Sequence, residues 1–207
     1  MKVPFIKYDP DIKILASKFL LKYNNPIKIP VQIEEIAEFD FGINIIPISG
    51  LMDILHIDGF MSSNLNALTV DEYIYNNRLT RYRFTIAHEI GHIIMHADIL
   101  KAGKIKLIDD YKRFMDGIPE PEYSKLEYQA NAFAGLVLVP CQSLCEDVDK
   151  QFFSIKKKWP ELVKDSKVMW EMIDTILAEK YKVSKSVIDR RITDDKIKTK
   201  YNQYFEE

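Results

Sequence analysis

Along this chain the apolar positions form short β-branched runs in the first third and helical stripes thereafter. Asp9-Pro10 reads as a helix cap followed by a first-turn proline. Ile14, Leu15, Ala16, Phe19 and Leu20 then make one apolar stripe that continues to about Asn24. Pro26 and Pro30 end that helix, and a short second one starts near Val31 with Ile33, Ile36 and Ala37 on its buried side. Residues 43–48 are rich in β-branched side chains and predict a strand; residues 59–62 and 67–71 predict two more, separated by Ser63-Asn64.

From about Thr80 to Met95 the period changes to helical, carried by Phe84, Ile86, Ala87, Ile90, Ile94 and Met95. Residues 101–121 mix Lys, Asp, Gly and Pro without a clear period, which predicts a long connection with room for a short helix. Helical spacing returns over residues 124–139 and stops at Pro140; further helices are expected over 141–153, 160–180 and 184–201. A small sheet followed by a run of helices predicts an α+β fold. About three strands, in a mainly antiparallel or mixed sheet, are expected to pack on the helix that starts near Thr80, with a mostly helical C-terminal part. The expected division is a core over residues 1–140 and a helical extension over 141–207, packed together as one unit.

Composition narrows the function classes. The 207 residues carry a formal net charge of −2, which gives no reason to expect nucleic acid or an anionic membrane as a direct partner. Residues 1–10 hold Lys2, Lys7 and Asp9 and no apolar run of signal-peptide length. No stretch approaches the roughly 20 apolar residues that span a bilayer. Two cysteines, Cys141 and Cys145, are too few for a secreted disulfide framework. The expected compartment is the cytoplasm.

The chemistry lies in His88-Glu89-Ile90-Gly91-His92, an H-E-x-x-H pattern. Four helical steps leave the two imidazoles about 40° apart on one face, one turn removed. Two ring nitrogens so placed reach one ion at about 2.0–2.1 Å. Glu89 points off the ligand axis, where a carboxylate can take a proton from an attacking water and pass it to a leaving amine. The plain alternative is a helix with two buried, hydrogen-bonded histidines. A catalytic zinc site wants a third protein ligand. Glu127, at the start of the second apolar helix, competes with Glu120, Glu122, Asp109 and Asp110 in the irregular connection. A helix holds a ligand more rigidly than a loop does, which favours Glu127. Asn131, one turn further on, can orient a ligand imidazole or Glu127 itself. His96 lies about 12 Å along the axis from His88, too far to share its ion, and reads as a packed or orienting residue. His56 reads as structural or exposed.

Residues 83–96, Arg-Phe-Thr-Ile-Ala-His-Glu-Ile-Gly-His-Ile-Ile-Met-His, together with Glu127-x-x-Ala130-Asn131-x-Phe133-Ala134 and the ending at Leu136–Pro140, resemble the ImmA/IrrE metallopeptidases. Ile29-Pro30-Val31 with residues 33–37 is similar to that family's short helix before its sheet, and residues 183–192 to its closing helical segment. The resemblance implies a zincin-like fold, Glu127 as the third ligand, one Zn2+ per chain and a helix-turn-helix repressor as the cleaved protein. His and carboxylate ligands leave Mn2+ or Fe2+ open. The chain departs from longer members in showing no N-terminal helix-turn-helix domain and no room for a C-terminal sensor domain. Its His92-to-Glu127 connection is also long. Readings from other classes are a non-catalytic module that only binds a repressor, and a DNA-binding regulator with a structural metal.

Weaker signals remain. Tyr111, Tyr123, Tyr128 and Arg83 are candidate donors to the oxyanion. Residues 66–71 read equally as an exposed edge strand that pairs with substrate or as an interior strand. Cys141 and Cys145, one helical turn apart, read as reduced core thiols. Lys156-Lys157-Lys158 reads as a solvated corner.

Overall fold

The computed structural model describes residues 2–161 and 165–205. They divide into two compact units, Met1–Val137 and Leu138–Glu207. The architecture is α+β, with one small mixed sheet and a mostly helical second unit. Among the described residues, no helix is long and apolar enough to cross a membrane.

In the first unit, α1 (Lys13–Tyr23) buries Ala16, Phe19 and Leu20. Asp9 does not cap it: its carboxylate pairs with Lys13, and the helix proper begins after Ile12. α2 (Ile33–Glu35) continues as a wider turn through Asp40 and buries Ile33, Ile36 and Ala37. Three strands follow, β1 (Asn44–Ile48), β2 (Gly59–Met61) and β3 (Ala67–Asp71), with α3 (Leu51–Leu55) between the first two. Their order is β1-β3-β2; β1 runs parallel to β3, and β2 antiparallel. The strand over residues 67–71 is therefore the central one and not an edge, which settles that pair of expectations against the edge. Leu68 to Asp71 are all buried, as a strand covered on both faces requires. The exposed edges are β1, which tolerates Pro47 for that reason, and β2.

After α4 (Glu72–Asn77) the long α5 (Leu79–Gly103) carries the H-E-x-x-H motif, with Ile86, Ala87 and Ile90 fully buried. α5 runs eight residues past the expected end at Met95. Backbone angles at His96 (φ −131°, ψ 20°) break the regular helix there, so the pattern read before it does not continue after it. The connection read as lacking a period contains α6 (Ile108–Asp116), whose half-buried Ile108, Tyr111, Phe114 and Met115 recur at helical spacing, a stripe only one short helix long between charged residues. α7 (Glu120–Leu138) begins one turn earlier than expected. Its Ala130, Phe133, Ala134 and Val137 are fully buried, and Phe133 meets Phe19 edge to face at 5.6 Å.

The second unit contains α8 (Cys141–Lys158), α9 (Ser166–Tyr181), α10 (Lys185–Asp194) and a final tight turn over Ile197–Tyr204. Asp165 caps α9 through the N–H groups of Lys167 and Val168, so this helix starts later than Pro160; residues 162–164 of the expected span lie outside the described residues. Leu144 and Val148 form the buried stripe of α8, which leaves Cys141 exposed rather than in the core. Lys156 to Lys158 sit in the last turn of α8, where cations complement the helix dipole.

Asp71 joins three elements of the first unit. One carboxylate oxygen accepts the N–H groups of Tyr73 and Ile74 and caps α4; the other accepts the N–H of Met52 in α3. Burial acts to raise this carboxyl, yet the backbone donors outweigh it and hold it below the usual carboxylate range. A depressed value contributes stability above the unfolded carboxylate pKa of about 3.9, and the contribution is lost as pH falls through the folded value. Asp71→Ala should cost about 2 kcal/mol at pH 7. The gap to wild type should narrow towards pH 3 in urea unfolding; an equal gap at both pH values would contradict this role.

Candidate metal centre

The motif helix and α7 touch at their smallest residues. A Cβ built on Gly91 would stand 3.1 Å from Phe133 Cδ1 and 3.3 Å from both Cα and O of Ala130. Only glycine facing alanine lets the two backbones approach this closely, and that approach brings Glu127 and Asn131 alongside the histidines. On the sheet side, a Cβ on Gly59 would stand 2.6 Å from Thr69 O and 3.2 Å from Thr85 Cγ2 of α5, so β2 lies against the motif helix for the same reason. Arg83, one turn before His88, is buried and anchors α5 to α2 through Glu34, with Nη1–O distances of 2.7 and 2.6 Å.

His88, His92 and Glu127 each offer a ligand atom, all within 4.8 Å of one another. Nε2 of His88 and Nε2 of His92 are 2.9 Å apart, and the two Glu127 oxygens lie 3.5 Å from one each. The hydrogen-bond network fixes which ring nitrogens carry protons. His88 Nδ1 lies 3.0 Å from Asn131 Oδ1, an acceptor, so Nδ1 holds the hydrogen and Nε2 a lone pair. Gln129 donates its Nε2–H to the carbonyl of Pro4 at 2.9 Å, which leaves its Oε1 to accept from His96 Nε2 at 2.7 Å. His96 Nδ1 is then an acceptor, and His92 Nδ1, 3.0 Å away, must donate to it. His92 Nε2 therefore also carries a lone pair. Two lone pairs facing each other at 2.9 Å, with a carboxylate beside both, repel unless a cation lies among them. The donor set suits a divalent ion of the zinc type, bound at about 2.0–2.1 Å by two imidazoles and a carboxylate.

Burial lowers the imidazole of His88 to about 4 and that of His92 to about 3, each helped by its histidine neighbour. Both rings are neutral at physiological pH, as metal ligation needs. Glu89 is buried beside them; burial, and then Glu127, push its carboxyl well above the usual range, while the Met61 N–H pulls it down. The site opens into a cavity of about 250 Å³ in the first unit. Tyr111 and Tyr123 line it, with Tyr111 stacked on Phe60 at 4.8 Å; His56 lines it too, although its own ring is exposed.

Other expected candidates are engaged elsewhere. Arg83 is held by Glu34, and the Tyr128 side chain is exposed and does not line the cavity, so neither is placed as an oxyanion donor. Glu122 accepts the N–H of Val3 and pairs with Lys125; Asp110 accepts the N–H groups of Lys106 and Leu107. Glu120 accepts the Ser124 hydroxyl, and Asp109 is exposed. Sequence reasoning missed Gln129. Its burial shows only in the fold, and at 200° from Glu127 on a helical wheel the spacing gave no reason to connect it. Because the site depends on close helix contact, Gly91→Ala should cost about 1–3 kcal/mol by overpacking. It should also weaken divalent-ion binding in chelator competition; unchanged affinity would contradict the packing argument.

A search of curated proteins returns no significant match. The family model of the M78 peptidases, described as an IrrE N-terminal-like domain, matches residues 73–193, more than half of the chain and the whole stretch from α4 through the candidate ligands into α10. This chain belongs to the IrrE N-terminal-like M78 peptidase family.

Proposed function

We propose that this member of a metallopeptidase family is an endopeptidase dependent on one zinc ion per chain, with Mn2+ or Fe2+ as the alternatives the donor set allows. The ligands are His88, His92 and Glu127. The observation that carries the reading is the pair of Nε2 lone pairs 2.9 Å apart, each fixed by a separate partner at Nδ1. A divalent cation held there supplies two things, acidification of the attacking water and polarisation of the scissile carbonyl. Glu89 takes the proton as the water oxygen bonds to the carbonyl carbon, and delivers it to the amine nitrogen as the C–N bond breaks. Asn131 and the His96–Gln129 pair keep the two imidazoles in the ligating tautomer.

An extended substrate has a place to lie. Asp58 and Ser62 pair with β3 through backbone hydrogen bonds, which leaves the alternate residues Gly59 and Met61 directed at the free edge of β2. Both line the cavity, and the Met61 N–H is directed at Glu89. The edge expected at residues 66–71 is thus replaced in this reading by β2, where main-chain pairing brings a peptide past the site. A peptidase acts on a protein substrate, and the family resemblance supports a helix-turn-helix repressor in the cytoplasm as that substrate.

Glu89→Gln should retain about one metal ion per chain and lower peptide cleavage by at least roughly 10²–10⁴-fold. His92→Ala should lose both metal and cleavage. The check is metal analysis by mass spectrometry beside a gel assay with a co-expressed repressor of the expected class. Full cleavage by metal-loaded Glu89→Gln would overturn the assignment.

A further inference from the structure

The cavity has a polar end and an apolar limb, and the second is not used by the chemistry above. α5 carries the limb onward from His96 through Ile99 and Leu100, while α7 carries it backward from Glu127 through Leu126. α6 and the turn after it close the space with Phe114, Met115 and Ile118. Ile99 and Leu100 lie beyond the break in α5 at His96, on the far side of it from His88. Val3, only 2% exposed, packs against Ile118 and Leu126 behind this wall, and Glu122 fixes it there by accepting its N–H at 2.6 Å.

Three features define what such a limb can take. At about 250 Å³ the whole cavity is smaller than the roughly 300–1,000 Å³ that houses a complete small-molecule ligand, so it suits one side chain and its adjoining peptide unit. No Lys or Arg lines it, and Glu89 and Glu127 already stand at its polar end. An acidic side chain would meet repulsion without a counter-charge. Asp58, the remaining carboxylate in the wall, is engaged in a two-pronged pair with Arg81 at 2.6 and 2.5 Å, and offers no free charge to a basic side chain.

Resting on the peptidase reading of the same site, we propose that this limb is a specificity subsite for one bulky apolar side chain (Leu, Met or Phe) next to the scissile bond. α6 sets its size. α6 is thereby the element that selects substrate. Phe114 is its adjustable wall: a Cβ on Gly103 would stand 2.7 Å from Phe114 Cδ2 and 2.9 Å from Cε2, and the open space beside the ring is the cavity. Gly103→Ala therefore narrows the limb, and Met115→Ala widens it, without touching a proposed ligand or Glu89.

The test uses the zinc-loaded full chain and an unfolded protein substrate such as reduced casein, with cleavage sites mapped by mass spectrometry. Wild type should cut with Leu, Met or Phe enriched at one fixed position beside the bond and with Asp and Glu depleted there. In matched peptides differing only at that position, Gly103→Ala should shift the Phe-to-Val ratio of kcat/KM at least about tenfold towards Val, and Met115→Ala should shift it towards Phe. Thermal melting confirms that each variant folds. Cleavage with no side-chain preference, or preferences unchanged in both folded variants, overturns the proposal. Binding of the same peptides to zinc-loaded Glu89→Gln separates the two readings. Discrimination in binding with no cleavage by wild type would sink the peptidase reading and keep the subsite; cleavage with equal binding of all peptides would do the reverse.

Discussion

Everything at the candidate centre depends on how closely two helices can approach. Gly91 meets Ala130 and Phe133 so closely that an added carbon would push its neighbours back by a few tenths of an ångström, and this contact puts a carboxylate and an amide from α7 within reach of two imidazoles on α5. A bulkier pair would hold the helices apart, and Glu127 would then face water. The same economy of volume operates at Gly59, which seats β2 against α5 and brings the Met61 N–H towards Glu89. Packing density is therefore the first determinant of the chemistry, ahead of the charges it brings together.

The second determinant is the hydrogen-bond chain behind the candidate ligands. Starting from the Pro4 carbonyl and passing through Gln129 and His96, it leaves His92 Nε2 with a lone pair; Asn131 does the same for His88 by a separate route. Burial keeps both rings neutral. Neutral, oriented imidazoles that converge on a carboxylate direct two lone pairs and a negative charge at one point, which suits a divalent cation. The N-terminal segment takes part in this chain through the Pro4 carbonyl, and Val3 packs behind the cavity wall on Ile118 and Leu126, so residues far away in sequence support the candidate site.

What the sequence made legible follows from where each signal is local. The H-E-x-x-H spacing is a property of one helix, so His88, Glu89 and His92 could be grouped from four residues of separation. The three strands were legible because β-branched residues in β1 and β3, and the turn residues that separate β2 from β3, are local too. Strand order was not, since β1 and β2 both pair with β3 and only the folded register shows which is central. Glu127 sits in a different helix, and from residue types alone it stood beside four other carboxylates; in the fold Glu120, Glu122 and Asp110 bond to residues three or four positions away and Asp109 is exposed, whereas the partners of Glu127 are 35 and 39 residues distant. α6 stayed hidden because its apolar stripe is only nine residues long and lies among Lys, Asp and Gly, although Ile108, Tyr111 and Phe114 pack against Leu51, Phe60 and Ile105. Gln129 stayed hidden because its partner, His96, comes from a break in α5 that helical spacing does not anticipate.

The most direct measurement is anomalous diffraction from crystals grown with zinc, recorded on either side of the zinc absorption edge. One dominant peak per chain is expected, about 2.0–2.1 Å from Nε2 of His88, Nε2 of His92 and a carboxylate oxygen of Glu127. A zinc-replete crystal with no peak among these atoms, or with Glu127 turned to solvent while the ion sits elsewhere, would contradict it.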